Sequence, residues 1–180
     1  MLGILHHQST TQNIAIGNYA LNSITAGQTV SDNVAIGYDA GTAITTGDGN
    51  VLVGMQAGNV ITTGGTNTCI GNEADPSANS GANQTVIGAT ATGHGDNIVV
   101  LGNSSVTAWH PGDDNGVDLG SASYRFANLY VADMQMSNEG TGGNEVDGTE
   151  GSWSIQEGEE NLYVINRKTG KKFKIKLEEM

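Results

Sequence analysis

A chain of 180 residues holds one ordinary domain or two small ones, and with 27 glycines, two prolines and a formal charge of −12 it is not composed like an average globular protein. Leu, Ile, Val and Phe supply 37 residues, about a fifth of the chain, so one copy cannot build a large core, and backbone pairing and association must make up the difference or the chain stays disordered. The acidic body repels nucleic-acid phosphates and anionic membrane surfaces, no stretch approaches the ~20 apolar residues of a membrane span, and the lone Cys69 excludes an intrachain disulfide.

Residues 1–12 read as an N-terminal segment, either an attachment element or a partial coil. Met1–His7 has too few apolar residues for a secretion signal. Residues 13–106 then carry an internal repeat. An apolar residue precedes glycine at Gly17, Gly37, Gly54, Gly71, Gly88 and Gly102, with spacings of 20, 17, 17, 17 and 14. Four residues earlier stand Asn13, Asn33, Asn50, Asn67 and then Gln84. Three residues later stand Ala20, Ala40, Ala57, Ala74 and Ala91. A second glycine follows the first by ten positions at Gly27, Gly47, Gly64 and Gly81, and Ile24, Ile44, Ile61 and Ala78 share another register.

Each copy reads as one coil. Ile14–Ile16, Val34–Ile36 and Val51–Val53 are β-favouring runs whose alternate side chains share a face. The glycine ending each run allows a positive-φ turn or a close backbone approach, and the alanine suits a crowded corner. Ile44–Gly47 and Ile61–Gly64 read as a second short strand with its own turn. Glycine and β-branched residues interrupt every candidate helix. Ordering a coil costs more entropy than its few apolar side chains return, so the coils must stack and bury a further face against neighbouring chains. Six strands at ~4.8 Å would make a rod roughly 25–30 Å long.

The repeated asparagines have two readings, an amide ladder between coils or contacts to glycan or ice. Cys69 occupies the slot of Ala15, Ala35 and Leu52, as a packed core thiol. Threonines at Thr45, Thr46, Thr62 and Thr63 form a two-coil ladder that lapses at Thr25-Ala26.

Residues 107–150 read as a connector rich in Gly, Asp and Asn, with Ser137–Gly151 an exposed loop. Residues 151–180 read as a C-terminal β-hairpin cap: Trp153–Gln156 and Leu162–Asn166 as strands, 167–170 as a turn, and Lys171–Leu177 as an alternating strand. Phe173, Ile175 and Leu177 share one face of that strand, and Lys172, Lys174 and Lys176 the other. The lysines fit either a solvated edge that blocks aggregation or partners for Glu157, Glu159 and Glu160, within the chain or across a trimer.

The chain carries no recognisable catalytic constellation. His6, His7, His94 and His110 lack metal-ligand spacing, although a histidine on a threefold axis could supply three ligands. Asp113–Gly116 and Asp48–Asn50 lack the acidic spacing of calcium loops. No nucleophile elbow or phosphate-binding loop occurs, so the chain reads as a non-enzyme without catalytic residues, metal sites or cofactors. The six-residue period of hexapeptide acyltransferases is also missing.

The unit Asn-x-(Ala/Leu)-(Ile/Val)-Gly-x-x-Ala resembles the head repeats of trimeric autotransporter adhesins, and it is similar to repeats of bacteriophage tail fibres. Trp109-His110-Pro111, Asp118-Leu119-Gly120-Ser121, Arg125-Phe126 and Leu129-Tyr130-Val131 resemble a phage-fibre segment that commonly precedes a self-cleaving chaperone; no chaperone sequence is read within these 180 residues, so trimerisation is expected to use another nucleus. Gly151–Glu159 followed by Asn161-Leu162-Tyr163 resembles an end module of marine phage virion proteins. These resemblances imply an all-β fold: a left-handed parallel β-roll shaft in a homotrimer, followed by the small antiparallel C-terminal module. They imply a virion fibre synthesised in the host cytoplasm, with other virion proteins and a host-surface glycan or protein as partners, and no nucleic acid or membrane insertion. Tyr19, Tyr38 and Trp109 are candidate contacts. A bacterial cell-surface adhesin or matrix fibre is the alternative, and an ice-binding solenoid the second.

Overall fold

The computed structural model describes residues 12–25, 27–114 and 116–176. His6, His7, Ala26, Leu177 and nearly all of the N-terminal segment therefore lie outside the described residues. No helix occurs among those described, and the chain divides into two units between Trp109 and His110.

The first unit is a parallel β-solenoid of about five turns. Its strands are β1 (Ile14–Ile16), β2 (Val34–Ile36), β3 (Val51–Val53), β4 (Thr68–Ile70), β5 (Thr85–Ile87) and β6 (Val99–Leu101), paired in chain order. The register is in step with the repeat: Ala15 faces Ala35, then Leu52, Cys69, Val86 and Val100. The spacing of 20 leaves this register intact because its three extra residues fall between Ile24 and Asn33. There Gln28 accepts the Thr25 amide at 2.6 Å and donates to the next coil's Thr45 carbonyl at 3.0 Å.

The core is narrow and made of small residues. The central residue of each of β1–β5 points inward and is buried, as are the alanines at positions 20, 40, 57, 74 and 91. Ile44 and Ile61 fill the space between, and the column ends where Ala78 is exposed and Pro76 is buried instead. Glycine at the strand end is required by the stacking distance. Gly54 has φ of +138°, and a Cβ there would meet the Gly71 carbonyl carbon at 2.6 Å and the Asn72 nitrogen at 3.1 Å.

The second strand expected in each coil does not form. At that corner the Thr45 and Thr46 amides both donate to the Thr62 oxygen, at 2.9 and 3.2 Å. In the next coil Thr62, Thr63 and Gly64 all donate to the Asn79 oxygen, at 2.9, 3.2 and 3.1 Å. A ladder gives each carbonyl one amide, so convergence of two or three marks a bend.

The second unit contains a four-stranded antiparallel sheet in the order β10-β9-β8-β7. Its strands are β7 (Asp133–Ser137), β8 (Ser152–Glu157), β9 (Leu162–Asn166) and β10 (Lys172–Lys174). The hairpin expected over 151–180 is thus enlarged by a strand from within the segment read as connector. Asp133-Met134-Gln135-Met136-Ser137 alternates polar and apolar, which suits a sheet with unlike faces. One face carries Met134, Met136, Trp153, Ile155, Leu162, Val164 and Phe173 with Glu157 and Asn166 at its ends, and the other is mainly polar, carrying Asp133, Gln135, Ser154, Gln156, Lys172 and Lys174 together with Tyr163 and Ile165 of β9. Ser154 is buried on the polar face, where the Arg167 Nε donates to its hydroxyl at 2.6 Å. The loop between β7 and β8 is braced by Asn138, which accepts the Gly151 amide at 2.6 Å, and by Asn144, which accepts those of Val146 and Asp147 at 2.8 and 3.0 Å.

Candidate functional site

The repeat positions come together as columns inside and along the solenoid. Asn13, Asn33, Asn50, Asn67 and Gln84 stack as an amide ladder, each side-chain oxygen receiving the backbone amide of the next member at 2.9–3.1 Å. The side-chain nitrogens of Asn33, Asn50 and Asn67 each donate to the side-chain oxygen of the preceding member at 3.2, 2.9 and 3.0 Å. The second glycine of three repeats belongs to the same device: Asn33, Asn50 and Asn67 donate to the carbonyls of Gly47, Gly64 and Gly81 at 2.9, 3.1 and 2.8 Å, whereas in the longer first repeat Asn13 donates to the Val30 carbonyl at 2.8 Å in place of Gly27. Asn33, Asn50, Asn67 and Gln84 are fully buried, so this column cannot touch glycan or ice. Gln84 ends it by turning its side chain to Ser77 and Asp96.

A second column was not legible in the repeat. Asp32, Gly49, Thr66 and Asn83 precede successive ladder positions, Asn97 precedes Ile98 in the same register beyond the ladder's end, and all five have positive φ, between 53° and 69°. Tyr19, Asp39, Gln56, Glu73 and Thr90, two residues beyond each glycine, form another, between 52° and 60°. These non-glycine residues in left-handed backbone are held by inter-coil bonds such as Gln56 N to Tyr38 O at 2.7 Å. Only Gly49, the asparagines and the aspartates Asp32 and Asp39 are of types that favour that conformation in sequence.

The outer face of the solenoid sheet is the most extensive surface feature. Either side of each buried central residue, the strands turn Ile14, Ile16, Ile36, Ile70, Ile87 and Leu101 outward, together with valines and threonines. Exposure reaches 51 % at Ile14 and 63 % at Val99. The parallel in-register pairing turns these side chains into two rows: Ile16, Ile36, Val53, Ile70, Ile87 and Leu101 form one that is apolar along the whole stack, and Ile14, Val34, Val51 and Val99 form a second that is interrupted by Thr68 and Thr85. Tyr19 and Tyr38 stand exposed, edge to face with centroids 6.0 Å apart. Trp109 is exposed too, and so are Leu119, Tyr124, Phe126, Leu129 and Tyr130 of the second unit.

The chemistry available at titratable groups is limited. Cys69 is buried beside Asp75; burial first, and that carboxylate second, push its thiol up to about 12, out of reach as a nucleophile near neutral pH. Burial also raises the Asp75 carboxyl, opposed by backbone amides of Val60, Asn59 and Gly58, and its Oδ1 is the one buried side-chain oxygen without a partner among the described residues. His94 and His110 are exposed, and no group of three or more His, Cys, Asp or Glu able to hold a metal occurs among the described residues. The lysines of β10 do not reach Glu157, Glu159 or Glu160; the ion pair among the described residues is Lys168 to Glu139 at 3.2 Å. No helix of the described chain is long and apolar enough to cross a membrane.

No family model, no curated protein and no solved structure matches this chain.

Proposed function

We propose that the protein is a structural fibre component, a solenoid shaft that works as a homotrimer with the outer sheet faces of three copies packed about the fibre axis. The observation that carries this reading is the outer face of β1–β6, with one apolar row unbroken from Ile16 to Leu101 and a second broken at Thr68 and Thr85. Isolated apolar side chains are common on any surface, but contiguous rows rimmed by polar residues mark an association surface. A parallel sheet is normally covered on both faces, and here one face covers the core while the other carries isoleucine and valine. The exposed aromatic residues between Leu119 and Tyr130 add to the surface that further copies would cover. The buried amide ladder supports the mechanical role, because it ties each coil to the next without using the outside of the rod.

The resemblance of the repeat and of the Trp109–Val131 motifs to phage fibres supports the reading of the proposed fibre as a virion part that projects a stalk toward a host surface. Glycan or protein recognition there would gain from three-fold repetition through raised effective concentration. A bacterial surface adhesin would use the same shaft. In the ice-binding alternative only Thr46 and Thr63 would be presented, since Thr45 donates its hydroxyl to the next coil's carbonyl at 3.2 Å.

The test of the association face is Ile36→Lys combined with Ile70→Lys. Both side chains point outward, so the β-sheet circular dichroism is expected to persist while the assembly falls to monomers in light scattering. An unchanged oligomer would contradict the assigned face. Antibody labelling of intact phage particles separates the virion from a cell surface.

A further inference from the structure

We infer that the C-terminal sheet closes, three copies together, into a twelve-stranded wall whose apolar face lines the axis, with β10 of one copy paired to β7 of the next. The inference rests on the three-copy reading above and adds a second, independent interface to it.

Four observations converge. The sheet is a single layer with an uncovered apolar face: Met134, Met136 and Phe173 are exposed, and Trp153, Ile155 and Val164 half-buried. Among the described residues both edges are open, since β7 and β10 each have one hydrogen-bonded neighbour there and every residue of both strands is exposed. Open edges of this kind are templates for pairing with another chain. The edges differ in charge on the polar face: β7 presents Asp133, and β10 presents Lys172 and Lys174. Two β10 edges would set lysine against lysine, whereas β10 against β7 sets lysine against aspartate. Finally, the strand number is even. Rotation about an axis along the strands keeps each strand's direction, so the neighbour's β7 runs opposite to β10, and the antiparallel alternation continues around the ring.

The dimensions fit a packed interior. Four strands at about 4.8 Å make each wall about 19 Å wide, and three such walls meeting as a prism stand about 5.5 Å from the axis. Packed sheets keep about 10 Å between them, so each wall needs about 5 Å on its inner side. The alternation of side chains also limits the register. Face must match face, so Gln135 lies opposite either Lys172 or Lys174 if both strands are used. Charge selects the first, which sets Asp133 opposite Lys174 and, on the inner face, Met134 against Phe173.

Disulfide capture in the full chain tests this. Gln135→Cys combined with Lys172→Cys should give covalent trimers on a non-reducing gel after mild oxidation. Within one chain the two positions are three strand spacings apart, about 14 Å, beyond the ~7 Å Cα separation a disulfide spans. Cys69 is buried and stays out of the reaction. Trimers from Gln135→Cys with Lys174→Cys instead would keep the closed wall and correct its register. Covalent dimers from Gln135→Cys alone would overturn the proposal in favour of two-fold β7 pairing. A trimer by light scattering that yields no cross-link from either pair would overturn the closed wall and leave the shaft reading standing, while a monomer would overturn both.

Discussion

Asn50→Ala is the sharpest perturbation of the ladder. The Asn50 amide donates to Asn33 Oδ1 at 2.9 Å and to the Gly64 carbonyl at 3.1 Å, and its oxygen accepts from the Asn67 backbone and side chain at 3.1 and 3.0 Å. Of those four partners, Asn33 Oδ1 keeps the Asn50 backbone amide and the Asn67 side chain keeps Gly81. The Asn67 N–H and the Gly64 carbonyl lose their partner altogether, in a part of the chain that water does not reach. A buried polar group left unpaired costs ~1–3 kcal/mol, so the two together cost about 2–6 kcal/mol. A typical domain has ~5–15 kcal/mol in total. Urea unfolding followed by far-ultraviolet circular dichroism, at one fixed protein concentration because association adds to apparent stability, reads this loss. Hydrogen exchange should localise it to the amides of Asn67 and its neighbours. Asn13→Ala, at the half-buried end of the same ladder, is expected to cost less because water can replace the lost partner. A loss under about 1 kcal/mol at Asn50, or equal losses at both positions, would refute the claim that the ladder holds the coils together.

Other outcomes follow from the same geometry. Gly54→Ala must place a side chain at φ +138° and into the Gly71 backbone, so it should cost at least about 2 kcal/mol or abolish the solenoid, as read by thermal melting. Thr66→Gly relieves a β-branched residue at φ 59° in the column where glycine already stands at position 49; against ~1–2 kcal/mol of left-handed strain and ~0.5–1 kcal/mol of glycine entropy, a gain of a few tenths to about 1 kcal/mol is expected in the same assay. The Asp75 carboxyl is raised by burial, so the folded state holds its proton more tightly than the unfolded state, and the charge destabilises the fold at neutral pH. Asp75→Asn should therefore raise the melting temperature at pH 7, with the advantage shrinking as pH falls through the raised value toward the ordinary carboxylate range; an advantage independent of pH would contradict the cause. Cys69 should resist thiol reagents in the native protein and react on unfolding, and labelling of the folded chain would show that the coil opens.

Much of the solenoid was legible because its repeat is a column structure. A residue recurring at one register position in every coil stacks on itself, so asparagine, glycine and alanine each revealed a ladder, a close approach and a tight corner. The three runs read as strands at Ile14–Ile16, Val34–Ile36 and Val51–Val53 match β1–β3. The second corner misled because Ile-Thr-Thr has β propensity, while the stacked carbonyls of Thr62 and Asn79 each gather several amides and bend the chain there. The left-handed columns were hidden because threonine, glutamine, glutamate and tyrosine give no local sign of positive φ and the aspartates and asparagines among them fit ordinary turns equally well; inter-coil hydrogen bonds impose it. β7 escaped notice because its five-residue alternation sits between glycine-rich stretches, and its partner strand lies beyond a fourteen-residue loop. The outer apolar face could be read from the strand residues, but the length of its rows depended on the register being kept through spacings of 20 and 14.

The central claim is that these apolar rows are an interface between three copies. Size exclusion with multi-angle light scattering on the purified chain measures it directly. One copy weighs 18.5 kDa, and a single species of three times that mass is expected, with slow migration on unboiled gels in detergent. A monodisperse particle of 18.5 kDa that keeps its β-sheet spectrum would contradict the account.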